Sequence, residues 1–255
     1  MAAAAAVRVW SGVHSFEFRG GSRLPTGRWI LTNPNTTLIA ALLDRSGSMG
    51  HSVAATEDGW RELIDAQRQY PGLCYVTLAQ FDHEYEVVYP PTDINAVPPF
   101  ELVPRGNTAL LDAAGRFITE VGEQLSALPE ERRPGRVICL IMTDGYENAS
   151  QTWTWPGIKA LITRQREVYK WDFIFLGADI DAVEIGERMG VERQYAMTYD
   201  KRDYDRNRAA FRSTHDVMSR KRAYGSAAAG FSDEDRKAAL GEPDPKPKRD
   251  RKKGA

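Results

Sequence analysis

The stretch Thr37-Thr-Leu-Ile-Ala-Ala-Leu-Leu-Asp-Arg-Ser-Gly-Ser-Met-Gly50 decides the expected fold of this 255-residue chain. An uninterrupted apolar run, Leu38 to Leu43, ends at Asp44, and two serines follow at alternate positions, Ser46 and Ser48. A run that is apolar on both faces is typical of a strand buried in a parallel sheet. Ligands of open α/β sheets lie just beyond the carboxyl ends of such strands. Asp44, Ser46 and Ser48 are therefore candidate ligand-binding residues.

These three side chains offer only oxygen atoms as ligands. Oxygen donors suit a hard cation such as Mg²⁺, which accepts few carboxylates and keeps bound water or open positions. Capping of the following helix is an alternative role for Ser48. Capping does not explain Asp44 and Ser46 together, so the stretch predicts a cation site.

Two later segments place similar residues beside an apolar strand or helix. Gly106-Asn107-Thr108 precedes a helical stripe that runs from Leu110 to Val121, and Thr108 is also a candidate cap for that helix. The apolar strand that begins at Val137 ends in Thr143-Asp144-Gly145. The end of this strand is expected at the same edge of the sheet as Asp44.

Together, the three segments resemble the metal-ion-dependent adhesion site of von Willebrand factor A domains, and the resemblance covers roughly residues 35–200. It implies that Ser46, Ser48 and Thr108 bind the ion directly, and that Asp44 and Asp144 bind it directly or through water. It also implies Mg²⁺ as the ion, with Mn²⁺ or Ca²⁺ as alternatives, and a partner protein whose Asp or Glu completes the coordination. Two carboxylates just neutralise a divalent ion, which still accepts one more oxygen ligand.

Seven further residues are expected around this site, either in a rim that the partner contacts or hydrogen-bonded to the ligands. They are Asp82, Gly106, Asn107, Asp112, Gly145, Glu147 and Asn148. Asp112 lies one helical turn after Thr108 and faces the same way. Asn148 is expected to fix its loop rather than to bind the ion.

The remaining pattern alternates between apolar segments and stretches with helical spacing. Strands are expected over 73–81, 84–89, 137–143, 171–177 and 194–198, and helices over 49–70, 110–121, 156–170 and 182–189. The short Asp82-His83 connection predicts an antiparallel hairpin at one edge, and the prolines from Pro90 to Pro104 predict an irregular segment. The expected fold is a doubly wound, Rossmann-like, mostly parallel sheet of about six strands, with one antiparallel edge strand and helices on both faces.

Four parts are expected along the chain: an N-terminal extension (1–34) with a short hairpin over 7–31, the von Willebrand A-like domain (35–200), a basic helical segment (201–242) and a disordered basic tail (243–255). Residues 201–255 carry 16 Lys and Arg against 9 Asp and Glu, and the remainder carries 18 against 26. The helix expected over 203–224 has Phe211, Thr214 and Met218 on one side, so packing on the domain is favoured. Binding of nucleic acid or another anionic partner is the alternative, although no nucleic-acid-binding motif accompanies the helix.

Composition favours a cytoplasmic protein. Cys74 and Cys139 each lie in an apolar run without metal or redox spacing, which is typical of buried thiols in a reducing compartment. The N-terminal alanines lack the basic start of a secretory signal. No apolar run reaches the length of about 20 residues that spans a bilayer, so no membrane association is expected.

Three function classes are compatible with the predicted site. The resemblance favours Mg²⁺-dependent protein binding in an adaptor or assembly role, as in single-domain bacterial and phage proteins that sometimes work beside AAA+ ATPases. A scaffold with a purely structural ion is the second class, and a metal-dependent hydrolase is the third. Catalysis is not expected, because no histidine lies in the three segments and no Gly-x-Ser-x-Gly, Walker or Gly-x-Gly-x-x-Gly motif occurs.

Overall fold

The computed structural model describes residues 32–241, so the hairpin expected over 7–31 and the basic tail over 243–255 lie outside the described residues. One sheet contains six strands: β1 (Asn33–Asp44), β2 (Leu73–Phe81), β3 (Tyr85–Asp93), β4 (Pro134–Thr143), β5 (Asp172–Ala178) and β6 (Ala196–Tyr199). Their order is β3-β2-β1-β4-β5-β6, and only the β2–β3 pair is antiparallel. The doubly wound α/β fold that the sequence predicts is therefore confirmed.

Helices cover both faces of the sheet: α1 (Val53–Arg68), α2 (Leu110–Ser126), α3 (Trp155–Glu167), α4 (Ala182–Met189), α5 (Tyr204–Tyr224) and α6 (Asp233–Leu240). A short 3₁₀ turn, Gly47–His51, separates β1 from α1. The residues immediately before α1 and α2 are Ser52 and Ala109, and neither caps its helix with a side chain. The capping role considered for Ser48 and Thr108 is therefore wrong, and both hydroxyls are available for other contacts.

The strand register brings the carboxyl ends of the parallel strands to one edge of the sheet. The apolar run of β1 is fully buried between its neighbours β2 and β4. At this edge Asp44 lies opposite Phe81, Thr143 opposite Gly177, and Ala178 opposite Tyr199. Residues that follow different strands in the sequence consequently meet in space.

The proline-rich segment after the hairpin is more regular than its sequence predicts. β3 continues through Pro90 and Pro91 to Asp93, whereas the sequence predicted an end at Tyr89. This is possible because β3 is an edge strand, where a residue without an N–H group breaks no ladder on the open side. The pairing with β2 shifts register near Leu78, which accommodates the prolines.

The C-terminal segment packs directly on the sheet and on α1. Phe211, Thr214 and Met218 are buried on the inner side of α5, as the sequence predicts. Gly59 of α1 lies against the Phe211 ring, and a Cβ at this glycine would collide with it. The described part of the segment therefore belongs to the same hydrophobic core as the strands.

Many of the basic side chains of α5 are used within the chain. Lys221 is almost fully buried, forms an ion pair with Asp172 at 2.8 Å and places its ammonium 3.6 Å from the centre of the Tyr195 ring. Arg222 donates to the Gln67 carbonyl at 3.0 Å, and Arg220 donates to the Gly230 carbonyl at 2.9 Å. These cations hold the helix on the domain.

Both cysteines are buried free thiols, as expected. Burial raises the pKa of Cys74 to about 11, and it also raises the pKa of Cys139. Between Thr32 and Gly241, none of the helices combines the length and the apolar character that a membrane span requires.

Removal of Lys221, the buried cation in the last turn of α5, should destabilise the protein strongly. Lys221→Met leaves the Asp172 carboxylate buried without its counter-ion, so the free energy of unfolding should fall by about 3 kcal/mol. Urea denaturation followed by circular dichroism measures the change. In the double variant Lys221→Met/Asp172→Asn the orphaned charge is absent, and part of the loss should be recovered.

The matched control removes a cation from an exposed ion pair. Arg193 contacts Glu187 at 2.7 Å, but the arginine side chain is 70% exposed. Arg193→Met should therefore change the stability little. If Lys221→Met behaves like Arg193→Met, the C-terminal segment does not depend on this ion pair.

Candidate metal centre

Three loops converge at the carboxyl edge of the sheet and bring the five predicted metal-binding residues together. Asp44 ends β1, and Ser46 and Ser48 follow in the turn before α1. Thr108 lies just before α2, and Asp144 directly follows β4. Asp44, Ser46, Thr108 and Asp144 are buried, whereas Ser48 is exposed, so the cluster opens to solvent on the serine side.

Hydrogen bonds join the first loop to the third. The Ser48 hydroxyl donates to Oδ1 of Asp144 at 2.7 Å, and the Ser46 hydroxyl donates to the same oxygen at 3.2 Å. The two hydroxyl oxygens are 3.1 Å apart. Two serine hydroxyls of the first loop and a carboxylate almost 100 residues later therefore lie within hydrogen-bonding distance of one another.

Asp44 is fully buried and is held by two donors. The Thr143 hydroxyl donates to Oδ2 at 2.6 Å, and the Ser46 backbone N–H donates to Oδ1 at 2.6 Å. Burial raises the pKa of Asp44 to about 6, and the negative charge of Asp144 adds to this rise. The two hydrogen bonds oppose the rise without cancelling it. The ionised carboxylate is thus only partly compensated by the protein.

Thr108 is placed beside Ser48 by the glycine of the third loop. A Cβ on Gly145 would lie 3.2 Å from Oγ1 of Thr108 and 3.9 Å from Oγ of Ser48, so both hydroxyls face this glycine. Asn148 fixes the threonine from the other side: its Oδ1 accepts from the Thr108 N–H at 3.0 Å, and its own N–H donates to the Thr108 carbonyl at 3.1 Å. Asn148 thus holds the loop in the way the sequence suggested.

Backbone hydrogen bonds tie the first loop to the second. Gly47 N–H donates to the Gly106 carbonyl at 3.2 Å, and Arg105 N–H donates to the Arg45 carbonyl at 2.8 Å. Gly106 has a φ of 69° and lies over the imidazole of His83, which leaves no room for a side chain. A glycine is required here for both reasons.

Two acidic residues of the expected rim hold the loop that follows Asp144. Asp112 accepts from the backbone N–H groups of Gln151 at 2.7 Å and Trp153 at 2.6 Å. Glu147 accepts from the N–H groups of Leu111 at 3.0 Å and Ser150 at 2.7 Å. Their carboxylates order the loop through the backbone, and no hydrogen bond to the five central residues is seen among the described residues.

Asp82, the third acidic residue of the expected rim, anchors the hairpin turn. It is fully buried and forms ion pairs with Arg45 at 3.0 Å and Arg105 at 2.8 Å. Burial acts to raise the pKa of Asp82, but the Glu84 N–H and the two guanidinium groups outweigh burial and lower it. Since Arg45 and Arg105 belong to the first and second loops, Asp82 holds both in place beneath the site.

A polar groove of about 990 Å³ lies beside the cluster, between the β2–β3 turn and α2. Among its lining residues are His83, Asn107, Arg116 and Asn148. Asn107 is exposed next to Thr108, and Tyr146, just past Gly145, is 63% exposed. The rim thus offers amide, aromatic and charged groups to a ligand that reaches the five central residues.

The donor set fits a hard cation better than a soft one. Among residues 32–241, no group of three or more His, Cys, Asp or Glu side chains has an arrangement that could hold a metal ion. A metal here would therefore depend on the three hydroxyls together with Asp44 and Asp144. Such an all-oxygen set with two carboxylates is typical of Mg²⁺ rather than of zinc or copper.

Solved structures show where this architecture occurs. A von Willebrand factor type A protein from Catenulispora acidiphila superposes with a TM-score of 0.52 over 73% of this chain and 43% of its own, at 14% identity. The chain has the von Willebrand factor A fold. Two further structures superpose on it: the open form of the pilus adhesin SpaC from Lactobacillus rhamnosus GG (TM-score 0.54, 12% identity, 80% and 31% covered) and proximal thread matrix protein 1 from the mussel byssus (0.51, 14%, 72% and 46%).

The chain spans less than half the length of each of these three proteins. No protein-family profile and no curated protein sequence matches it. At identities of 12–14%, the similarity concerns the fold alone. The role of the five central residues is therefore inferred from their positions in this chain.

Two residues of the site were not identified from the sequence. Tyr199 ends the last strand, β6, and Lys201 follows it. Lys201 places its ammonium 2.8 Å from Oδ2 of Asp144, and its side chain is only 9% exposed. The Tyr199 hydroxyl is buried and has no hydrogen-bond partner among the described residues. Burial raises the pKa of Tyr199 well above its usual value, and the charges of Asp144, Asp44 and Asp179 act in the same direction.

Thr143 also has a role that the sequence did not reveal. Its neighbours Asp144 and Gly145 were recognised, but the hydrogen bond from Thr143 to Asp44 depends on the pairing of β4 with β1. The only sequence signal for Lys201 is its position just beyond a short apolar strand. That signal does not distinguish a buried cation from an ordinary surface lysine.

Neutralisation of Asp44 should stabilise the metal-free protein at neutral and alkaline pH. The pKa of Asp44 in the folded protein is raised to about 6, so folding favours the protonated carboxyl. The stability that wild type gains from this preference is fully present below about pH 4 and is lost as the pH rises through 6. Asp44→Asn does not titrate, so its advantage should grow by about 2 to 3 kcal/mol between about pH 4 and pH 8. Urea denaturation in the presence of a chelator measures this difference.

Asp144→Asn is the matched control, because this variant removes the partner of the buried Lys201. The free energy of unfolding of the metal-free variant should decrease at about pH 8. Equal effects of Asp44→Asn and Asp144→Asn would contradict the different electrostatic environments described for the two carboxylates.

Proposed function

We propose that this chain is a Mg²⁺-dependent protein-binding module that captures an acidic side chain of a partner protein. The proposal is carried by one observation: the hydroxyls of Ser46 and Ser48 converge with Asp144 on one side of the site, at the open edge of the sheet. Asp44 lies in the same loop as the two serines, and Thr108 belongs to the second loop of the cluster. This convergence supports the proposal of a metal-ion-dependent adhesion site.

Five residues would hold the ion: Asp44, Ser46, Ser48, Thr108 and Asp144. The bound ion supplies a Lewis acid for one further oxygen ligand. The protein contributes pre-positioned oxygens, since Thr143 and the Ser46 N–H orient Asp44 and Asn148 fixes Thr108. The unpartnered Tyr199 hydroxyl supports the fit, because a polar group buried near these carboxylates is expected to have a partner when the site is filled.

The open side of the cluster favours partner binding over a purely structural role for the ion. A structural site is normally closed by protein ligands, whereas an exposed position accepts an external one. Here Ser48 is exposed, and Tyr146, Asn107 and Asn148 are exposed around it. Tyrosine is enriched in protein interfaces, which suits a protein ligand. The alternative of a scaffold protein with a structural ion explains the five residues but not this open rim.

We favour binding over hydrolysis. A metal-dependent hydrolase needs a general base or a nucleophile close to the ion. His83 packs under Gly106 and contacts Asp82 at 3.2 Å, which places it in the hairpin turn. Asp112 and Glu147 are occupied by backbone N–H groups. Binding without turnover is accordingly the function that we propose.

An adaptor or assembly role in the cytoplasm, beside an AAA+ ATPase, is the narrower form of the proposal. It rests on the resemblance of the three sequence motifs to those of bacterial and phage proteins. Of the superposed proteins, one is a pilus adhesin. A binding role for this chain agrees with that description. The basic residues that α5 uses to contact the domain give no support to nucleic-acid binding.

Calorimetric titration with Mg²⁺ and Mn²⁺ tests the site directly. Wild type should bind about one ion per chain, and Asp44→Asn and Thr108→Val should each weaken binding by about tenfold or more, because the first removes a negative charge and the second removes a hydroxyl oxygen. A peptide array should then select sequences rich in Asp and Glu in the presence of the ion and lose them in a chelator.

Asp181→Asn serves as the control. This residue lies at the same edge of the sheet but caps α4 through the Glu184 N–H at 2.9 Å. Its substitution should leave ion binding unchanged. If wild type binds neither ion at millimolar concentration, with or without acetate, or if Asp181→Asn and Thr108→Val behave alike, the proposed function is wrong.

A further inference from the structure

A buried lysine touches the carboxylate at the centre of the proposed metal site. Lys201 follows β6, two strands away from the strand that Asp144 follows. Its ammonium lies 2.8 Å from Oδ2 and 3.4 Å from the carbonyl oxygen of Asp144, and 3.8 Å from Oδ2 of Asp179. With a side chain 9% exposed, Lys201 is a component of the site rather than a surface group.

The two oxygens of Asp144 consequently face different groups. Oδ1 accepts from the Ser48 and Ser46 hydroxyls, on the side where the proposed ion would bind. Oδ2 accepts from Lys201. The lysine therefore fixes the rotation of the carboxylate and leaves one oxygen for an ion. It also cancels one of the two negative charges at short range.

A count of the buried charges shows the consequence. Asp44 and Asp144 together carry a formal charge of −2, which Lys201 reduces to −1. Asp179 is not counted, because its side chain is 37% exposed and also faces Arg202 at 3.8 Å. A divalent cation in this site would leave a buried charge of +1. An uncompensated buried charge is unfavourable, whereas one carboxylate from a partner would bring the sum to zero. Without the lysine, a divalent ion would by itself bring the summed charge of the site to zero. A partner's carboxylate would then make that sum negative.

We propose that Lys201 is a positioning residue that makes cation binding and carboxylate binding depend on each other. The inference rests on the proposed function and adds a preference to it: the site accepts a divalent ion weakly by itself and firmly together with an anionic oxygen ligand. A partner with an acidic side chain is then selected over one with a neutral oxygen, such as an amide or a hydroxyl.

Two other cations in the described part of the chain, Lys221 and Arg202, lack this arrangement. Lys221 forms an equally short buried ion pair, with Asp172, but Asp172 begins β5 and lies at the opposite end of the sheet. Arg202, the residue after Lys201, is 79% exposed, and its nearest carboxylate oxygen, on Asp179, is 3.8 Å away. Arg202 therefore carries the same charge near the site without being buried in it, and solvent screens it.

The experiment is a titration of the full chain with Mn²⁺, followed by calorimetry, with and without acetate as a minimal carboxylate ligand. Lys201→Met removes the charge and keeps most of the side-chain volume, and Lys201→Arg keeps the charge. Arg202→Met changes the net charge of the chain by the same amount as Lys201→Met. Circular dichroism of each metal-free variant verifies that it is folded before titration.

Lys201→Met should bind Mn²⁺ alone about tenfold more tightly than wild type, because one repelling charge has been removed at short range. Acetate should strengthen Mn²⁺ binding by wild type and Lys201→Arg, and this enhancement should be lost in Lys201→Met. Arg202→Met should resemble wild type in both titrations. A purely structural role for Lys201 predicts weaker ion binding in Lys201→Met, and no restoration of the acetate effect by arginine.

The outcomes separate this inference from the proposed function. Equal or weaker Mn²⁺ affinity in Lys201→Met overturns the inference, while one ion bound by wild type still supports the metal site. Binding of Mn²⁺ alone by Lys201→Met, with binding by wild type only in the presence of acetate, supports both the inference and the metal site. If none of the four proteins binds Mn²⁺, with or without acetate, both the inference and the proposed function fail.

Discussion

The repulsion between two buried carboxylates, Asp44 and Asp144, is the constraint on which the rest of the site depends. The protein compensates them by different means: hydrogen-bond donors for Asp44, and an ammonium with two hydroxyls for Asp144. The compensation of Asp44 is incomplete, as its raised pKa shows. An incompletely compensated carboxylate in the interior would gain free energy on binding a cation, which supports the proposed metal site.

The sequence predicts the parts of the fold that are encoded locally. The apolar run of β1, the helical stripe of α2 and the short turn before β3 each have a periodicity that requires no knowledge of the remaining chain. The convergence of Asp44 and Asp144 also follows, since parallel strands place their carboxyl ends at one edge. Thr108 follows the antiparallel strand β3, and only the family resemblance predicted that it would join them. Fold and candidate ligands are thus accessible from patterns of a dozen residues.

Contacts that depend on register or on distant pairing were not accessible in this way. The approach of Lys201 to Asp144 joins residues 57 positions apart, and a single lysine after a strand has no distinguishing pattern. The donation from Thr143 to Asp44 depends on the alignment of β4 with β1. The continuation of β3 through two prolines depends on its position at the sheet edge and on a shift in its pairing register, which propensity alone does not reveal.

The two outermost strands of the sheet, β3 and β6, have a consequence for solubility. An open edge strand offers unpaired N–H and C=O groups to other chains. On one side, Pro90 and Pro91 remove two consecutive donors from β3. On the other, the C-terminal segment covers the four-residue β6, with Arg236 bonded to the Ala196 carbonyl at 2.8 Å and the Asp200 N–H bonded to the Ala239 carbonyl at 2.9 Å. The segment that supplies Lys201 to the site therefore also guards the sheet against strand addition and aggregation.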